Sequence, residues 1–181
     1  MKIIAFVGMP GSGKGEASRI AREFGVSVVN MGDVIREEAK RTGVDMAHAG
    51  DLATKLRLRE GSDVVARRCI PIIEELETRL VLIDGIRSID EVEAFKEAFG
   101  ENFTLIAIEA SFKERLSRIL ARKRADDPVD ESGVLSRDER ELEWGIGRAI
   151  KDADITIENN GSIDEFHEKV RELMAALSST E

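Results

Sequence analysis

The chain has 181 residues, 42% hydrophobic and 35% charged, enough for one sizeable core and too apolar for a disordered chain. Its formal charge of −9 argues against a nucleic-acid partner, because displacing counterions from a phosphate backbone needs a basic surface. One cysteine and two histidines exclude an intramolecular disulfide and a Cys/His zinc site. The opening apolar run Ile3–Val7 is too short for a secretory segment or a membrane span, so a reducing cytoplasm and no membrane partner are expected.

Five short apolar runs read as strands: Ile3–Val7, Val26–Val29, Leu80–Ile83, Leu105–Ile108 and Ile155–Ile157. A charged amphipathic stretch follows each, which predicts an α/β fold with a parallel sheet covered by helices on both faces. Residues 30–79 and 110–153 are far longer than a crossover helix requires. Both begin at strand C-termini, where open parallel sheets bind ligands, so they are the candidate walls of a site.

In chain order, the first strand runs into Gly8-Met9-Pro10-Gly11-Ser12-Gly13-Lys14-Gly15-Glu16 and then a helix with Ala17, Ile20, Ala21 and Phe24 inward. This G-x-x-x-x-G-K pattern in a strand–loop–helix setting predicts a phosphate cradle of backbone N–H groups with Lys14 as a point charge. Gly15 replaces the usual Ser/Thr, so no hydroxyl there can ligate Mg²⁺; Asp84, ending the third strand, is the carboxylate expected to act through water.

In the first insertion Asp33 is expected to cap a helix over Val34–Lys40, with Arg36 one turn inside. Arg57, Arg59, Arg67 and Arg68 read as solvated helix faces, Arg57 alone being able to reach the cleft. Cys69 shares a helical stripe with Val65, Ile72, Ile73 and Leu76 and reads as a buried small hydrophobe, while His48 and His167 read as structural or solvated. Ser88-Ile89-Asp90-Glu91 has the pattern of a capping box.

In the second insertion Phe112, Leu116, Ile119 and Leu120 make an apolar helix face, with Arg115, Arg118 and Arg122 on another. A polar lid over Ala125–Leu135 is expected next, then a helix from Ser136 boxed by Glu139. Leu142, Ile146, Ala149 and Ile150 read as its core stripe, which places Arg137, Arg140, Trp144 and Arg148 together opposite. Trp144 fits either a substrate ring, the closing insertion or a subunit contact.

Several of these motifs resemble the adenylate kinase and nucleoside-monophosphate kinase superfamily. Gly8-x-Pro10-Gly11-x-Gly13-Lys14-Gly15 is similar to its phosphate loop, which also carries Gly after the lysine. Gly32-Asp33-x-x-Arg36 resembles its Thr-Gly-Asp-x-x-Arg acceptor motif, with Met31 in the place of Thr. Asp84-Gly85-Ile86-Arg87 resembles its Asp-Gly-x-Pro-Arg, without the proline, and Arg124-x-Asp126-Asp127 with Arg137 and Arg140 is similar to its lid. Ala153-Asp154-Ile155 and Asn160-Gly161-Ser162 resemble the final strand and turn shared with dephospho-CoA kinases. The resemblance spans nearly the whole chain and is closest to archaeal adenylate-kinase-related, dephospho-CoA-kinase-like proteins.

It implies one P-loop kinase domain over residues 1–181: a five-stranded parallel sheet of order 2-3-1-4-5 flanked by helices, an acceptor-binding insertion (30–79) and a short lid within 110–153. Gly8, Gly11, Ser12, Gly13, Lys14, Gly15 and Glu16 would hold the phosphates of ATP, with GTP not distinguished, together with Mg²⁺ near Asp84. Lys14, Arg122, Arg124, Arg137 and Arg140 would neutralise the transferred group, and Asp33, Arg36 and Arg87 would bind the acceptor. Asp33 is the expected base for an alcohol acceptor. Glu91 stands where adenylate kinases carry a Gln that reads the adenine of AMP, but capping is the simpler reading, so AMP is not implied. The expected function is ATP/Mg-dependent transfer to a nucleotide-like small molecule, either a nucleoside monophosphate or a dephospho-CoA-like acceptor, by a monomer or homodimer. The competing reading is a P-loop NTPase serving as a switch or assembly factor for a protein or RNA partner.

Overall fold

A computed structural model describes residues 1–45, 49–123 and 127–179. The five apolar runs form one sheet: β1 (Lys2–Val7), β2 (Ser27–Asn30), β3 (Leu80–Asp84), β4 (Phe103–Glu109) and β5 (Ile155–Glu158), in the expected order β2-β3-β1-β4-β5. All four ladders are parallel, and their register sets Phe6 opposite Asp84 and Asn30 opposite Asp84. The C-terminal ends of β1, β2 and β3 therefore meet at one edge.

The helices are α1 (Lys14–Glu23), α2 (Met31–Thr42), α3 (Ala49–Glu60), α4 (Val64–Glu74), α5 (Ile89–Phe99), α6 (Phe112–Arg122), α7 (Glu131–Glu143), α8 (Ile146–Lys151) and α9 (Ile163–Ser178). Alternate residues of β1 feed two cores. Ile3, Ala5 and Val7 pack with Ile35, Leu56, Val65, Cys69, Phe95 and Ile146 on one face. Ile4 and Phe6 pack with Ile20, Phe166, Val170 and Met174 of α1 and α9 on the other. Burial on both faces explains why the strands read as continuous apolar runs. Cys69 is fully buried, which pushes its thiol up to about 12 and leaves it an inert core residue. Among the described residues, no helix is long and apolar enough to cross a membrane.

Two expected helix starts are corrected. The α2 helix begins at Met31 under Asn30, whose side chain accepts from Gly32 N at 2.8 Å, so Asp33 is inside the helix and does not cap it. The α7 helix begins at Glu131, not Ser136: Asp130 accepts from Gly133 N at 2.8 Å and starts it within the expected lid. It then ends at Trp144, where Gly145 at φ 94° breaks the axis before α8. A single continuous helical wheel across residues 136–150 therefore misassigned its faces. The inward residues of α7 are Val134, Asp138 and Glu141, while Leu142 is 53% exposed.

Candidate active site

The segment Gly8–Gly13 joins β1 to α1 and closes over the sheet edge. A Cβ on Gly13 would stand 2.4 Å from Asn159 Nδ2, and Gly11 has φ +80°, so neither position accepts a side chain in this conformation. Asn159, buried after β5, fixes the loop by donating to Ser12 O at 2.8 Å. Gly13 starts α1 without a side-chain cap, which leaves the first N–H groups of that helix for an anion. Lys14 Nζ donates to Gly8 O and to Met9 O at 3.2 Å. Burial lowers its pKa to about 8, a drop that the nearby Asp84 carboxylate opposes. Glu16 is held by Arg19 and lies 2.7 Å from His167 Nε2, so His167 is a contact of the α1 start; His48 lies outside the described residues.

Asp84 faces this loop from the end of β3 and accepts from Ser18 Oγ at 3.1 Å. Ser18, one turn beyond Lys14, thus orients the carboxylate from within α1. Among the described residues, no group of three or more His, Cys, Asp or Glu side chains could hold a metal by itself. The donor set fits a Mg²⁺ ion that takes most of its ligands from phosphates and water, with one oriented carboxylate nearby.

The loop, Lys14 and Asp84 line a cleft of about 540 Å³ together with Arg87, Arg118, Arg122, Arg137 and Glu141. Arg122 binds Asp127 at 2.6 and 2.7 Å, and Arg137 approaches the same carboxylate at 3.4 Å. Arg118 donates to Asn159 O at 2.9 Å. Arg115, expected on one helix face with Arg118 and Arg122, is buried: it donates to both oxygens of Asp138 at 3.0 and 2.6 Å and to Pro10 O at 3.0 Å. It ties α6, α7 and the phosphate loop together. Arg124 lies outside the described residues.

On the acceptor side the structure divides the expected set. Arg87 lines the cleft, whereas Asp33 and Arg36 pair with each other on the exposed face of α2, outside the lining. Arg140 also lies outside the lining, its guanidinium 5.7 Å from the Trp144 ring centroid. Arg57 and Arg87 approach the same ring at 5.2 and 5.7 Å, so Trp144 packs among three cations of its own chain. Arg57 is no solvated side chain: it is 10% exposed and donates at 2.9 Å to Glu91, which is fully buried. Ser88 does cap α5, but the Glu91 carboxylate reaches Arg87 N at 2.8 Å and Arg57, not the Ser88 backbone. Burial raises the Glu91 pKa against the opposing pull of Arg57. Glu141 was missed by sequence reasoning. Its sole signal was the i, i+4, i+7 spacing with Val134 and Asp138, which hydrophobicity cannot see when two of three inward residues are charged.

Comparison with known proteins accords with this geometry. A family model described as an AAA domain matches residues 7–134. A UPF0200 protein of Methanosarcina mazei is 50% identical over 177 residues, covering 97% of this chain and 95% of that protein. A UPF0200/UPF0201 protein of Archaeoglobus fulgidus is 49% identical over 98% of this chain, which spans 56% of that longer relative. Among solved structures, TT1252 from Thermus thermophilus superposes with TM-score 0.66 at 22% identity, covering 99% and 98% of the two chains. A shikimate kinase from Acinetobacter baumannii, in complex with shikimate, superposes with TM-score 0.65 at 18% identity, covering 99% and 96%. These structures show the P-loop kinase fold as a class, and not an adenylate kinase or dephospho-CoA kinase in particular. The chain belongs to the UPF0200 family, an AAA-domain protein built on the P-loop kinase fold.

Proposed function

We propose that this protein is an ATP/Mg²⁺-dependent phosphotransferase acting on a nucleotide-like small molecule in the cytoplasm. The observation that carries the reading is the cleft itself: an uncapped helix N-terminus and Lys14 share one lining with Arg87, Arg118, Arg122 and Arg137. A loop that only stored a nucleotide would not need four arginines around the phosphates as well as the lysine. Phosphoryl transfer does, because charge spreads over the equatorial oxygens of the moving group.

The N–H groups of Gly11–Gly15 and Lys14 Nζ would bind the β- and γ-phosphates, Lys14 exchanging its loop carbonyls for phosphate oxygens. Asp84, oriented by Ser18, would hold waters of the Mg²⁺ shell, and the metal when bound supplies charge neutralisation of the phosphates. Arg122 and Arg137 would turn from Asp127 towards the transferred group, while Arg87 positions the acceptor. Arg124 and Arg140 remain proposed members of the same cationic set, and Asp33 and Arg36 of the acceptor side, by resemblance to the lid and acceptor motifs.

The test is ADP formation from ATP–Mg²⁺ with nucleoside monophosphates and hydroxyl compounds as acceptors. Turnover above the water rate with a small acceptor is expected, and Lys14→Ala is expected to reduce it by about 100-fold or more. Hydrolysis stimulated only by a protein or RNA, with every small acceptor inert, would contradict the phosphotransferase reading and favour a nucleotide switch.

A further inference from the structure

Glu141 is a cleft residue to which the proposal above gives no role. Its side chain is 2% exposed and lines the cleft with Lys14, Asp84 and Arg87. Oε1 accepts from Arg87 Nη1, but Oε2 is buried and receives no hydrogen bond from the described residues. The other inward carboxylate of α7, Asp138, has both oxygens occupied by Arg115. A buried carboxylate oxygen without a donor is an exception in folded proteins. At a cleft wall it marks the place of a donor that arrives with a ligand. Glu141 is also close enough to Lys14 for its charge to oppose the fall in that lysine's pKa, which sets it beside the phosphate end of the cleft.

We propose that Glu141 Oε2 takes the proton of an acceptor hydroxyl, so that the protein phosphorylates an alcohol and not a phosphate monoester. The inference rests on the phosphotransferase reading and narrows its acceptor. The acceptor O–H donates to Oε2 while its oxygen lone pair forms the bond to the γ-phosphorus. The bond from that phosphorus to the β,γ-bridging oxygen breaks, and the nucleoside diphosphate leaves with the electron pair. The proton ends on Oε2 and passes to water. A phosphate monoester at neutral pH brings no comparable proton to Oε2 and sets its own negative charge against the carboxylate. Arg87 holds Glu141 through the other oxygen, so the pairing with Arg87 alone leaves Oε2 unexplained. Asp33, the base expected from the sequence, is turned to the exposed face of α2 and paired with Arg36.

The experiment compares wild type with Glu141→Gln, which keeps a carbonyl for Arg87, and Glu141→Asp. ATP–Mg²⁺ is supplied with water, adenosine, dephospho-CoA or shikimate as hydroxyl probes and with AMP or CMP as phosphate probes. ATP affinity is measured by calorimetry. Probe binding without nucleotide is followed by the fluorescence of Trp144, the single tryptophan, which lies against Arg87. The expected result is transfer to a hydroxyl probe, a loss of about 100-fold in kcat for Glu141→Gln and partial recovery in Glu141→Asp, with ATP still bound by both variants. Probe affinity should fall in Glu141→Gln, and that substitution should still cost activity in an Arg87→Ala background. Equal turnover by Glu141→Gln, transfer confined to AMP or CMP, no added loss in the Arg87→Ala background, or ATP binding without transfer to any hydroxyl overturns the proposal. Failure of ATP to bind would instead overturn the phosphotransferase reading beneath it.

Discussion

Lys14 carries a charge that burial makes costly until a phosphate arrives. Its pKa falls from 10.5 to about 8 because the folded loop removes it from water. Below pH 8 both folded and unfolded chains hold the proton, and the penalty, about 3 kcal/mol at most, is fully present. Between about 8 and 10.5 the unfolded chain keeps a proton that the folded one has lost, so this group makes stability rise with pH. Phosphate binding has the opposite sign, since it wants the lysine charged. ADP affinity measured by calorimetry should therefore weaken above pH 8, approaching about tenfold per pH unit; an affinity flat from pH 7 to 10 would separate Lys14 from the phosphates. At Arg57 the expectation concerns burial. Arg57→Ala strands the fully buried Glu91 without its cation and should cost about 3–5 kcal/mol in urea denaturation, whereas a solvated arginine would cost almost nothing.

Helices α6 and α7 meet the phosphate loop through one guanidinium. Arg115 binds Asp138 on α7 and Pro10 O in the loop, so the position of α7, which carries Arg137 and Glu141 into the cleft, is coupled to the conformation of the cradle. Asp138→Asn leaves that arginine buried without its counter-charge. It should destabilise by about 3 kcal/mol and speed hydrogen exchange in both α7 and residues 8–13. Exchange confined to α7 would show that the loop stands without this link. The same element shows where local patterns mislead. Ser136 and Glu139 have capping-box spacing, but Asp130 starts the helix first, and Gly145 ends it before the wheel can continue into α8.

For the whole molecule, nucleotide binding between β1, β3 and the second insertion should couple to global stability. At ATP–Mg²⁺ of about 100 times Kd the gain is about 2.7 kcal/mol, a rise in Tm of roughly 5–10 °C for a chain of this size. Lys14→Ala should lose most of that rise, and an equal shift in both proteins would place the nucleotide elsewhere. The five strands and the glycine loop after the first were legible in the residues themselves, and the strand order followed from the resemblance. Continuous apolar runs, glycine spacing and helix periodicity are local properties that a parallel sheet and a phosphate cradle require of their own segments. Which charges lie inside was not legible, because each depends on a partner far along the chain. Arg57 and Glu91 are 34 residues apart, Arg115 and Asp138 are 23, and Arg87 and Glu141 are 54. Before folding, five of these six are polar residues on amphipathic helices, and Arg87 is one more polar residue of the loop after β3. Only the tertiary structure brings the partners together, and it alone leaves Glu141 with one oxygen bound and the other buried and, among the described residues, unpaired.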